Sequence, residues 1–196
     1  MRQARGVCLA VVVLGLVITG CGQRMLRGMQ QVPADRVSVK APADQAAVVF
    51  LRSARTGTTT SLWELRTLEE NKFIGLLIDD TRLVYLTAPG RTRFMVVGLS
   101  ANFLDAELQA GKTYQVAVIF GDSAQEHFRL RPLRPGEEAP APIKACLDSC
   151  TWVENGERSQ AWAREHANSI QRKKMQYLPM WESRPNRAVL LATDGR

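Results

Sequence analysis

The stretch "RLVYLTAPGRTRFMVVGL", residues 82–99, decides the fold. Two runs rich in Val, Leu, Tyr and Phe flank "TAPG", and aromatic and β-branched side chains suit a pleated, half-buried strand. Pro89 presets φ for the start of a tight turn and Gly90 tolerates positive φ, so Pro89-Gly90 reverses the chain between two strands. The same grammar repeats outward. Downstream, "FLDAEL" and "TYQVAVIF" flank "QAGK", a further hairpin signal around Gly111. "EHFRLRPL" then alternates, with Phe128 and Leu130 on one side and His127, Arg129 and Arg131 on the other. Upstream come "AAVVFL", "LWELRTL" and "FIGLLI", the last two joined by the turn-like "EENK". Seven or eight strands spaced roughly ten residues apart across residues 46–134 predict a mainly β protein, an antiparallel β-sandwich.

The carboxyl-terminal third has a different texture. "PLRPGEEAPAPIKA" carries four prolines, and residues 135–145 are expected as an extended connection. Residues 146–196 then hold a cysteine pair, a helix and a tail. In "NGERSQAWAREHANSIQRKKMQYL" one stripe collects Trp162, Ala163, His166, Ala167, Ile170 and Tyr177, and Pro179 is expected to end the helix. With Trp152, Trp162 and Trp181 concentrated here, this C-terminal helical extension is predicted to bury an apolar side against the sandwich.

The amino terminus reads as an address. Arg2 and Arg5 precede twelve uncharged, mostly apolar residues, Val7 to Ile18, followed by small residues. That order matches a secretory signal peptide over residues 1–20, and the run falls short of the roughly 20 residues a spanning helix needs. The alternative is an uncleaved anchor. Ile18-Thr19-Gly20-Cys21 resembles the lipobox of bacterial lipoproteins, an aliphatic and two small residues before an invariant cysteine. The resemblance implies that Cys21 becomes the lipidated first residue of the mature chain. Several acyl chains hold a protein to a bilayer stably where one holds it only marginally. Gly22 stands where lipoproteins retained in the inner membrane typically carry Asp, which implies the periplasmic face of the outer membrane in an organism with two membranes. Residues 21–45, with two prolines and no sustained period, read as the lipidated end and a flexible tether.

The hairpins carry a second resemblance. "AAVVFLR", "NKFIGLL", "YLTAPGRTRFMVV" and "LDAELQAGKTYQVAV" resemble a domain-of-unknown-function family of small bacterial lipoproteins with a compact, PEGA-like β-sandwich. Asn71-Lys72 stands where that family often has Asp-Gly. The match covers about residues 42–133, and it implies a fold without implying an activity or any catalytic residue.

The whole chain has a formal charge of +7, of which Arg2 and Arg5 would leave with the signal. This basic balance suits anionic envelope surfaces, and nucleic acid is not an expected partner outside the cytoplasm. Of four cysteines, Cys8 leaves with the signal and Cys21 takes lipid, so Cys146 and Cys150 remain as a pair. In an oxidising compartment such a pair is expected to form a disulfide, closing a small loop. Metal ligation would need further ligands, and no His lies within a dozen residues of them.

Catalytic signatures are not found in the sequence. "QEHF" around His127 is not a zinc-protease motif, and His166 falls on the apolar stripe of the helix. No serine sits in a G-x-S-x-G elbow. Asp79-Asp80 is an acidic doublet between apolar strands and reads as a turn. The basic residues Arg91, Arg93, Arg129, Arg131 and Arg134 form a candidate contact patch, since residues two apart on a strand project from one face. Such arginines can meet phosphates of lipid or lipopolysaccharide, or an acidic partner; equally, edge charges block sheet-to-sheet aggregation. "QRKK" late in the helix suits the helix dipole. The expectation is therefore a lipid-anchored envelope lipoprotein of structural or interaction type. It would have no catalysis, no cofactor and no metal, a membrane contact through its anchor, and an envelope protein as possible partner rather than a small-molecule substrate. An accessory lipoprotein subunit of a secretion or envelope-spanning machine is the alternative, and an envelope enzyme comes third.

Overall fold

The computed structural model describes residues 28–54, 63–67, 71–123 and 126–196. The described residues form two facing sheets. One holds six strands in the order β1 (Met29–Gln31), β10 (Thr151–Asn155), β5 (Thr81–Thr87), β2 (Ala46–Arg52), β8 (Thr113–Ser123) and β9 (Glu126–Pro132). The other holds five, in the order β11 (Val189–Leu190), β7 (Ala101–Leu108), β6 (Gly90–Val97), β3 (Trp63–Thr67) and β4 (Phe73–Leu77). The expected mainly β sandwich with a C-terminal helical extension is thus the fold.

The turn at Pro89-Gly90 does something other than close a hairpin. Strand β5 pairs with β2 and β10, whereas β6 pairs with β3 and β7 in the opposite sheet. The chain reverses there, with Gly90 at φ +125°, but it crosses the core as it does so. Gly111, at φ +72°, sits at a second such corner, between β7 and β8. The hairpin expected around Gly111 is corrected in the same way. The adjacent antiparallel pairs are β3/β4, whose turn places Asn71 at φ +49°, β6/β7 and β8/β9. Asparagine is one of the few residues other than glycine that enters this region at low cost, which accounts for Asn71 at this position.

Because the corners move strands between layers, the sheets are mixed rather than antiparallel throughout. Strand β2 runs parallel to β8, β10 parallel to β5, and β11 parallel to β7. Central β2 is buried along its whole length. Its Val48 and Phe50 face the other sheet, where the Phe50 and Phe94 rings meet edge-on at 5.1 Å. Tyr85 of β5 and Phe94 of β6, the two strands of the opening stretch, meet across the core at 6.3 Å.

Helices cover both outer faces. Helix α1 (Ala141–Ser149) seals the six-stranded sheet, packing Ile143 and Cys146 with Leu51, Ala117 and Leu133. It begins inside the stretch expected to be an extended connection. Pro142 lies in the first turn, where its missing N–H has no partner to lose and its φ is already helical. Helix α2 (Glu157–Glu182) covers the five-stranded sheet, setting Ile170 and Trp181 against Met95, Val97, Ala101 and Phe103. It does not stop at Pro179 but runs on to Glu182. The last turn is held by the Ser183 N–H donating to the Pro179 carbonyl and by Trp181 packing on Phe103 at 5.6 Å.

Both ends of the described residues are stitched into the sandwich. Within the presumed tether, Met29–Gln31 pairs antiparallel with β10, so the tether reading is corrected for these residues. Met29 is buried, and its sulfur accepts from the Leu76 N–H. Farther along, Thr113 Oγ1 donates to the Val39 carbonyl and accepts from the Ala41 N–H. The main chain of Thr113 exchanges two 3.0 Å hydrogen bonds with that of Arg196.

Candidate functional site: an arginine-lined groove

The lipobox residues Ile18, Thr19 and Gly20, together with Cys21, lie outside the described residues. The sulfurs of Cys146 and Cys150 stand at bonding distance, 2.01 Å, with Cα atoms 4.6 Å apart. One helical turn of α1 brings them together, and both are buried on the outer face of the six-stranded sheet.

The candidate patch divides in two. Arg91 and Arg93 lie on β6 opposite Glu107 and Asp105 of β7, and each meets its cross-strand carboxylate, at 3.0 and 2.5 Å. Arg93 also donates to Glu182 at 2.8 Å and lies over the Trp181 ring, tying the end of α2 to the sheet. Burial works against its charge, but the hydrogen bonds it donates to Asp105 and Glu182 outweigh that and raise its pKa above the usual arginine value.

Arg129, Arg131 and Arg134 belong to a different feature. With Arg184 and Arg187 they line a groove of about 920 Å³ whose floor and walls also include Asn102, Phe103, Leu130 and Trp181. The topology explains its position. Strand β9 is the last strand of the six-stranded sheet, and β11 covers β7 only at Asp105 and Ala106. Asn102 and Phe103 at the start of β7 therefore face a gap toward β9, and the segment after α2 borders it on the far side. On β9 the apolar Phe128 and Leu130 turn into the core.

Five arginines line the groove against one acidic residue, Glu137. Several already have carboxylate neighbours: Arg131 contacts Glu137 at 2.5 Å, Arg134 lies 3.5 Å from Asp194, and Arg187 lies 3.8 Å from Asp105. Arg187 also donates to the Glu182 carbonyl and stacks on Trp181. Arg184 and Arg187 come from "WESRPNRAVL", which has no periodicity; its two arginines around Pro185 are the signal that sequence reasoning passed over.

Other ionisable residues serve the fold. Asp79-Asp80 does form a turn, with Asp80 at φ +57° and its carboxylate accepting from the Ala54 N–H, while Asp79 pairs with the buried Arg52. His166 stacks on Trp162 and donates from Nδ1 to the Trp162 carbonyl at 2.8 Å, a packed histidine on the helix stripe. The side chain of His127 lies outside the described part. Among the described residues no three His, Cys, Asp or Glu side chains converge as metal ligands would, and no helix is long and apolar enough to cross a membrane. Set against models of known protein families and against curated proteins, the chain matches none of them.

Proposed function

We propose that the protein is a lipid-anchored lipoprotein of the bacterial envelope that acts by contact rather than catalysis. One observation carries the anchoring: Ile18-Thr19-Gly20-Cys21 follows directly on a charged start and an apolar run, the order an exported lipoprotein requires. The thiol of Cys21 receives lipid, and the acyl chains hold the folded body at the membrane surface. In an envelope with two membranes, Gly22 favours sorting to the outer one. The exported setting also suits a stable Cys146–Cys150 disulfide.

Action by contact is supported by how the polar chemistry is used. Asp79, Asp80, Asp105 and Glu182 are each engaged by an arginine or a main-chain group, and His166 is turned onto its own helix. The arginine-lined groove is the feature best placed to recognise something outside the protein. The anchoring is tested by labelling cells with a clickable palmitate analogue. The wild-type chain is expected to incorporate label and fractionate with membranes, and Cys21→Ser to do neither. An unlabelled, membrane-free wild-type protein would end this reading.

A further inference from the structure

We propose that the groove between β9 and the segment after α2 binds a ligand carrying phosphate groups, with Arg131, Arg134 and Arg187 as principal contacts. Arginine's planar fork matches phosphate and carboxylate oxygens two at a time. The arrangement favours phosphate. The five arginines come from separate parts of the chain, Arg129, Arg131 and Arg134 in and just after β9, and Arg184 and Arg187 after α2, and they line one groove. A compact, multiply charged anion can engage more than one guanidinium group of a groove that several arginines line. An acidic peptide would present one charge per carboxylate, spread along its length. At about 920 Å³ the groove is larger than a single phosphate needs, so the ligand is a phosphorylated molecule of moderate size.

Glu137 gives the proposal a distinctive consequence. Its carboxylate sits on Arg131, and it lies on the exposed segment Arg134–Glu138. Exposed ion pairs contribute little to stability, so a phosphate can displace this carboxylate at small cost. Asp194 and Asp105 are held more firmly, Asp194 by the Leu191 N–H and Asp105 by Arg93. Glu137 is thus an internal competitor for the site.

The inference rests on the reading of the protein as a contact component but not on lipid at Cys21, so labelling and binding experiments fail separately. The full-chain protein is titrated calorimetrically with inorganic pyrophosphate. Saturable binding is expected, weakened about tenfold or more in Arg131→Ala/Arg187→Ala and tightened severalfold in Glu137→Gln. A misfolded variant cannot bind more tightly, so the second variant guards against a trivial loss in the first. Competition with phosphatidylcholine vesicles containing phosphatidic acid identifies the source: displacement points to a lipid headgroup, and its failure to a soluble phosphorylated ligand. The proposal is overturned if pyrophosphate does not bind saturably, or if Glu137→Gln and the arginine pair leave binding unchanged. Preference for a hexaglutamate peptide over pyrophosphate would overturn it too, and would make the groove a docking site for an acidic protein segment.

Discussion

The guanidinium of Arg52 and the carboxylate of Asp79 meet at 2.6 Å, at the end of β2 where the arginine side chain is 1% exposed. Arg52 also donates to the Leu77 carbonyl and lies over the Phe120 ring. Burial lowers its pKa, and the neighbouring Asp79 works in the opposite direction. Removing one partner of a buried pair leaves an uncompensated charge, so Asp79→Ala is expected to cost about 3–5 kcal/mol in urea denaturation. Replacing both, as in Arg52→Met/Asp79→Ala, should recover much of that loss. A single variant as stable as wild type would show that the pair does not hold the sandwich end.

Arg66 clips α2 to the five-stranded sheet. From the outer face of β3 it donates to the Asn71 carbonyl at 2.8 Å and to the Ala163 carbonyl, in the body of the helix, at 3.0 Å. Two charge-assisted bonds from one buried group make Arg66→Ala costly, by about 2–4 kcal/mol. Lysine lacks the fork that reaches both acceptors, so Arg66→Lys should rescue little. Hydrogen exchange would place the loosening in α2. Full rescue by lysine would refute the two-acceptor role.

The seat of β1 depends on Gly75. A Cβ there would lie 2.6 Å from Leu83 Cδ2 and 3.2 Å from Met29 Cε. Gly75→Ala should therefore cost about 1–3 kcal/mol through overpacking. Leu83→Ala in the same chain is expected to compensate in part, which thermal denaturation of the double variant would reveal. Additive losses in the pair would mean the crowding lies elsewhere.

The Cys146–Cys150 link closes only a short loop, so it restrains the unfolded chain weakly. Reduction, or Cys146→Ser/Cys150→Ser, is expected to lower stability by about 2 kcal/mol or less and to leave the fold intact. Loss of the native circular dichroism spectrum on reduction would mean that α1 needs the bond to dock.

The strands were legible because their alternation and turn residues are local. The partners of those strands were not. Pro89-Gly90 and Gly111 announce that the chain turns, yet a tight turn serves equally for a hairpin and for a corner between layers. What separates the two is where Tyr85 and Phe94 are buried, a property of the assembled core. The same limit hid β1, since three residues pairing with a strand more than a hundred positions away carry no pattern of their own. It also hid half the groove. Arg129, Arg131 and Arg134 stood out by strand alternation, whereas Arg184 and Arg187 join them only because α2 ends at Glu182.

The docking of β1 changes the geometry of attachment. Six residues, 22–27, separate Cys21 from Gly28, so the distance between the two is at most about 25 Å at full stretch. Gly28, the first described residue, lies against Arg158 and Ser159 at the first turn of α2, so the chain joins the described body there. The arginine groove lies beyond the other end of that helix, whose 26 residues span about 39 Å. Under the proposed lipidation of Cys21, helix α2 would act as a strut, with the anchored segment joining one of its ends and the groove standing beyond the other.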